Sequence, residues 1–85
     1  MTTDTLLEFP CDFPIKVMGL HSDDFHNTVV EIISRHTGER PLPGIRPSRD
    51  NRYVALSFNI KATSREQLDA LYQELSGNDL VLFVL

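Results

Sequence analysis

Residues 53–63, with the sequence YVALSFNIKAT, alternate apolar with small or polar side chains. Val54, Leu56, Phe58 and Ile60 occupy every second position, which is typical of a strand with one face in a core. Valine, isoleucine, phenylalanine and tyrosine also suit a pleated, half-buried surface. We therefore predict a central strand here, with two helices packed against its apolar face.

A first strand is predicted over residues 14–20, which follow a proline at position 10. Its alternation places Ile15 and Val17 on one face and Lys16 and Met18 on the other. The residues before it, 1–12, are predicted to form a loosely ordered arm, and residues 13–85 a single domain.

A first helix is predicted from residue 22 or 23 to about residue 36. Ser22 or Asp23 is the expected N-cap, because both side chains accept hydrogen bonds from free backbone amides. Gly38 suits the left-handed position that ends many helices. The apolar stripe of this helix follows the helical repeat and comprises Phe25, Val29, Ile32, Ile33 and His36.

A second helix is predicted to begin at a capping box formed by Ser64 and Gln67, and to stop at Gly77. Its buried stripe comprises Leu68, Leu71, Tyr72 and Leu75. Residues 80–85, LVLFVL, are predicted to form a last strand that is apolar on both faces. The register of that strand stays open: either Leu80, Leu82 and Val84, or Val81 and Phe83, face away from the helices.

Residues 39–52 contain three prolines and are predicted to form a long loop with at most a short edge strand near Ile45. The resulting order is strand, helix, strand, strand, helix, strand. Short connections and right-handed crossovers favour an α+β, ferredoxin-like βαββαβ sandwich with a four-stranded antiparallel sheet. The predicted strand order is 4-1-3-2, with both helices on one face.

The other face of this sheet is predicted to be open, and an apolar last strand would leave part of it exposed. Such a patch usually marks an interface. The alternative is that the N-terminal arm folds over it, using Leu6, Leu7 and Phe9. The candidate interface residues on the open face are Lys16, Met18, Tyr53, Ser57 and Leu82.

Composition narrows the classes of function. The net charge of −4 argues against general nucleic-acid binding, and only Tyr53 stands where an RNA-recognition module would carry stacking aromatics. A lone cysteine excludes an internal disulfide, and neither a signal peptide nor a long apolar run is visible. We expect a cytoplasmic location and no membrane partner.

Residues 35–52 hold five arginines and two acids, whereas the rest of the chain is strongly acidic. Arg46, Arg49 and Arg52 could bind a carboxylate, a phosphate or an acidic partner. The alternative is a solvated loop that balances the acidic body.

No residue pattern predicts catalysis, a cofactor or a metal. His21 and His26 straddle the start of a helix and lack the spacing of a ligand pair. Cys11 has no neighbouring base that would activate it as a nucleophile. We therefore expect a protein that is not an enzyme.

Four segments, LLEFPCDFPIKVMGL, HSDDFHNTVVEIISRH, ATSREQLDALYQELSG and LVLFVL, resemble the YbeD-like family of small bacterial proteins. That family has no established function and is often labelled a putative lipoate regulator. The resemblance implies a ferredoxin-like fold similar to ACT regulatory domains, which bind amino acids at subunit interfaces. Their ligand turn corresponds to residues 19–24 here, so Gly19 and His21 are candidate ligand residues.

The sequence therefore predicts a non-catalytic regulatory or adaptor module that forms a homodimer or binds a protein partner. Sensing of a small ligand, either an amino acid or a carboxylate, is the alternative. Weak RNA binding through the open sheet face is a further alternative.

Overall fold

The elements follow one another in the predicted order. In the computed structural model, which describes residues 8–85, the strands form one antiparallel sheet in the order β2-β3-β1-β4. This is the predicted order read from the opposite edge, so the ferredoxin-like prediction is confirmed. The bounds are β1 Cys11–Leu20, α1 Asp23–Thr37, β2 Gly44–Pro47, β3 Tyr53–Ala62, α2 Arg65–Ser76 and β4 Val81–Val84.

The core lies between the sheet and the two helices. Val17 stands opposite Leu56, and Ile15 opposite Phe58, in the register of β1 and β3. All four side chains are at most 3% exposed, as the period-two alternation predicted. Both helices contribute to this same buried cluster, so they cover one face of the sheet and leave the reverse uncovered by helix.

Strand β1 begins at Cys11, three residues before its predicted start, so Cys11 and Asp12 belong to the sheet rather than to an arm. Proline at position 14 is tolerated for a geometric reason. The N–H of Lys16 donates to the carbonyl oxygen of Leu85, on the β4 side of β1. The nitrogen of Pro14, two residues earlier, therefore also points to the β4 side. The last strand ends before it reaches that position, and no ladder hydrogen bond is lost.

The helix ends follow the predicted capping chemistry with one difference, at Gln67. The hydroxyl oxygens of Ser22 and Ser64 cap α1 and α2, each by accepting a hydrogen bond from the backbone N–H three residues later. Gly38 ends α1 in the left-handed conformation, with φ 75°. Gly77 ends α2 as predicted, in a right-handed conformation. The side chain of Gln67 accepts from the N–H of Thr63, one residue before the predicted capping-box position.

Strand β4 follows neither of the two registers considered from the sequence. Met18 pairs with Phe83, but Gly19 pairs with Val81, so Leu82 is an extra residue at a β-bulge. The bulge puts Val81 and Val84 toward the core, while Leu82 and Phe83 are both about half exposed. Strict alternation was the wrong assumption for this strand.

Candidate functional site

The face of the sheet that the helices leave uncovered, called here the open face, is defined by the strand registers. One row across it runs from Arg46 through Ala55 and Met18 to Phe83, and these four residues stand on neighbouring strands. Lys16 and Ser57 form part of the next row, opposite each other. The structure thus brings the predicted residues Lys16, Met18, Tyr53 and Ser57 onto one surface, with Leu82 at its β4 border.

An apolar strip crosses the open face over β3, β1 and β4. Leu20 is 50% exposed, Leu82 56% and Phe83 47%, whereas an interior position would bury such side chains. The residues of this apolar strip are Met18, Leu20, Tyr53, Leu82, Phe83 and Leu85. Exposed apolar patches are a common feature of interaction sites.

A shallow pocket of about 200 Å³ opens on this face beside Arg46. Met18, Tyr53 and Ala55 contribute to its lining, and Ala55 is only 9% exposed because it lies between Met18 and Arg46 in the register. Small-molecule pockets usually start near ~300 Å³. This one is smaller, and its volume suits a single protruding side chain or a ligand of similar size.

The open face is basic although the chain is acidic. Lys16, Arg46 and Lys61 are exposed on its strands, and Asp12, opposite Lys61, is their acidic neighbour. The helical layer has the opposite sign, since α1 and α2 together carry six acids and two arginines. The two sides of the molecule thus differ in charge.

Residues 46–52, which hold the three predicted arginines and are called here the arginine loop, include a well-defined turn. The Ser48 hydroxyl donates to the Asp50 carboxylate at 2.7 Å, and the Arg52 N–H donates to the same oxygen at 3.2 Å. The pKa of Asp50 is lowered mainly by the hydrogen bond from Ser48 and next by the one from Arg52. Arg52 also lies near this carboxylate, with Nε 3.9 Å from Oδ2.

The three predicted arginines do not share a hydrogen-bond partner within residues 8–85. Arg46 lies on the open face in β2, whereas Arg49 and Arg52 lie in the turn before β3. The loop therefore places Arg46, alone of the three, beside the pocket on the open face.

The other two predicted ligand residues lie at the end of β1 and in the turn that follows it, in different surroundings. Gly19 is buried in the core against the ring of Phe25. His21 is exposed, and its backbone N–H donates to the carbonyl oxygen of Arg52 at 2.9 Å, joining this turn to the arginine loop. A second pocket, of about 280 Å³, lies on the helix side and includes His21, Asp23 and His26 in its lining.

Sequence reasoning missed two features. Phe83 and Leu20 belong to the exposed strip, and the alternation of IKVMGL already placed Leu20 on the face of Lys16 and Met18. Glu74 joins the two helices by accepting from Arg35 and by contacting His36, whose Nε2 lies 2.7 Å from Oε1. This contact spans 38 residues, so no local pattern could indicate it.

Residues 8–85 contain no cluster of three or more side chains suited to hold a metal ion. In that same part of the chain, none of the helices has both the length and the apolar character needed to cross a membrane.

The strand order, with both helices on one face and the other face open, defines a ferredoxin-like α+β protein. A Helicobacter pylori protein solved in solution aligns over 100% of this chain and 94% of its own, with a TM-score of 0.77 and 16% identity. The ACT domain of the GTP pyrophosphokinase of Chlorobium tepidum aligns over 88% of this chain and 97% of its own, with a TM-score of 0.63 and 18% identity. At such identities the likeness shows the fold alone.

Over residues 4–85 the chain matches the model of the family described as protein of unknown function, DUF493, and it belongs to that family. A UPF0250 protein of Ralstonia nicotianae is 45% identical, covering 96% of this chain and 87% of the relative. A UPF0250 protein of a Janthinobacterium species is 46% identical, covering 98% and 93%. The resemblance to the YbeD-like family is thereby confirmed.

Proposed function

We propose that this protein is a non-catalytic regulatory or adaptor module that acts by associating with a protein surface through its open face. The observation that carries the proposal is the apolar strip, because side chains such as Phe83 and Leu82 are half exposed on a sheet with no helix over them. Burying a large apolar side chain fully contributes about 1.5–3 kcal/mol. Leu82 and Phe83 are already half buried in the free chain, so covering each of them contributes part of that amount, and several such side chains together favour association.

The charge pattern and the fold support association in a regulatory role. The ACT domain with which the fold aligns is part of a GTP pyrophosphokinase, so a domain of this fold occurs within a larger enzyme. A cytoplasmic location agrees with the single cysteine and belongs to the proposal.

A connection to lipoate rests on the family label alone, and no contact within residues 8–85 argues for it.

Photo-crosslinking tests this function directly in growing cells. A photoreactive phenylalanine analogue replaces Phe83, and the same analogue replaces Leu42, which is 93% exposed in the loop before β2. We expect crosslinked adducts, to another protein or to a second copy, from position 83 and few from position 42. Equal yields at both positions, or none at position 83, would contradict the proposal.

Small-ligand sensing is a second candidate, which the pocket on the helix side favours. Two imidazoles and the carboxylate of Asp23 line it over an apolar floor that includes Leu56, a set that could bind the amino and carboxyl groups of an amino acid. The test measures the melting temperature of wild type and of His26→Ala, with and without each amino acid or lipoic acid. A rise in melting temperature that the variant loses supports sensing, since such a ligand binds the folded state.

A further inference from the structure

The open face combines apolar and cationic side chains in a way that specifies its partner. We infer that it binds an acidic amphipathic segment of another protein, whose apolar side chains lie on the apolar strip and whose carboxylates pair with Lys16, Arg46 and Lys61. This inference rests on the proposed function and adds the chemistry of the partner to it.

The first argument is the sign of the charge. The chain as a whole carries a net charge of −4, and its helical layer is acidic, yet the exposed charges on the strands are three cations and Asp12. Complementary charge around an apolar centre speeds association and excludes partners of the same sign. A partner for this face is therefore acidic.

The second argument is the position of Arg46 next to the pocket. The pocket is lined mainly by apolar groups from Met18, Tyr53 and Ala55, and Arg46 stands at its β2 side. One apolar side chain of a partner fits into it, and a carboxylate one helical turn away on that partner can pair with the guanidinium. An amphipathic helix presents apolar and acidic side chains next to each other in this way.

Two other occupants fit the face less well. A second copy would bring Lys16, Arg46 and Lys61 toward an identical set of cations, which is unfavourable in a symmetric interface. Single-stranded RNA would need aromatic side chains for stacking, but four of the six residues in the apolar strip are aliphatic or methionine. Both remain outcomes of the test.

The test uses three fluorescent synthetic amphipathic peptides with identical leucine positions and with glutamate, glutamine or lysine at all remaining positions. Fluorescence anisotropy measures their binding to the full chain at two salt concentrations. We expect the glutamate peptide to bind about tenfold more tightly than the glutamine peptide, an advantage that salt reduces, and the lysine peptide to bind least. Failure of the glutamate peptide to bind would overturn the inference.

Two pairs of variants separate the inference from the proposed function. Phe83→Asp should abolish binding of every peptide, while Leu42→Asp should leave it unchanged, and circular dichroism confirms that both are folded. Arg46→Glu should remove most of the preference for glutamate, whereas Arg40→Glu, an equal change of charge outside the strands, should not. If Phe83→Asp abolishes binding but wild type binds the three peptides equally, the inference fails and the proposed function stands.

Other occupants give distinct results that overturn the inference. One is a dimer in light scattering that Phe83→Asp dissociates. Another is single-stranded RNA that displaces the glutamate peptide and binds more tightly. A third is peptide binding seen only after residues 1–7, which include Asp4, Leu6 and Leu7, are removed, because the face would then belong to the chain's own segment. If no binding depends on Phe83, both the inference and the proposed function fail.

Discussion

The ring of Phe25 occupies the space that a side chain at position 19 would need. A Cβ atom on Gly19 would lie 2.6 Å from Cδ1 of Phe25 and 2.5 Å from the carbonyl oxygen of Leu80, far inside van der Waals contact. Glycine is thus required here so that helix α1 can pack closely on the sheet. Its location in the core accounts for this glycine without a ligand.

Substitution of Gly19 should test this packing. Gly19→Ala is expected to lower the free energy of unfolding by about 1–3 kcal/mol, because backbone and a buried ring must move apart. Gly44→Ala is the matched control, since a Cβ there would meet its nearest atom at an ordinary 3.6 Å. Urea unfolding measures both, and equal midpoints for the two variants would contradict the packing argument.

Gln67 joins the end of α1 to the start of α2. Its Nε2 donates to the carbonyl oxygen of His36 at 2.8 Å, and its Oε1 accepts from the N–H of Thr63 at 2.7 Å. Gln67→Ala should therefore cost about 1–2 kcal/mol of stability, as two partners lose a hydrogen bond. Gln73→Ala, on the exposed part of the same helix, should change the urea midpoint little; a comparable loss there would point to helix propensity instead.

Glu74 should make stability depend on acid pH. Its pKa is lowered below its ordinary value of 4.5, first by the hydrogen bond from Arg35 and then by that from His36. A carboxylate whose folded-state pKa is depressed stabilises the protein above its unfolded pKa, and this contribution disappears as pH falls through the folded-state value.

Glu74→Gln is therefore expected to be less stable than wild type at neutral pH, by at most about 1 kcal/mol because the carboxylate is partly exposed. The difference should vanish as the pH falls below 4.5 and through the depressed pKa. Urea unfolding across this pH range measures it, with the exposed Glu39→Gln as the control. If the stability difference between wild type and Glu74→Gln were the same in acid as at neutral pH, the charge on the Glu74 carboxylate would not be its cause.

Asn51 holds the arginine loop in a left-handed backbone conformation, with φ 63°. Asn51→Val should lower the free energy of unfolding by about 1–2 kcal/mol, because a β-branched side chain is strained there. Asn51→Gly should be tolerated, since glycine adopts this conformation freely and the carbonyl near His21 is retained. Thermal unfolding compares the pair, and the reverse ranking would exclude backbone strain as the cause.

Much of this fold could be predicted because local patterns and burial agree. Val54 and Val17 sit in clean period-two alternations, and serines mark both helix starts. The joint exposure of Leu82 and Phe83 escaped prediction, because a wholly apolar strand contains no alternation from which to place a bulge. The start of β1 was predicted at Pro14, three residues too late. Whether a strand can continue through this proline depends on where the neighbouring strand β4 ends, which the local sequence does not show.

The sequence allowed us to predict which residues share the open face, but not how the charged side chains are placed around its pocket. Alternation identified Lys16 and Met18 as neighbours on the open face, which the register bears out as geometry. The position of Arg46 beside a pocket required the pairing of β2 with β3, and a four-residue edge strand in a proline-rich loop gives no register from sequence.

The unequal distribution of charge between the helical layer and the sheet has a consequence for how the molecule meets other proteins. Among the charges carried by the helices and strands, the negative ones are in excess on the helical side and the positive ones on the sheet side, which amounts to a dipole with its positive end at the strands. Near a negatively charged surface, a torque turns the strands toward that surface before any atoms touch. At physiological ionic strength this orienting field extends about 8 Å, so it acts in the final approach and then gives way to apolar contact.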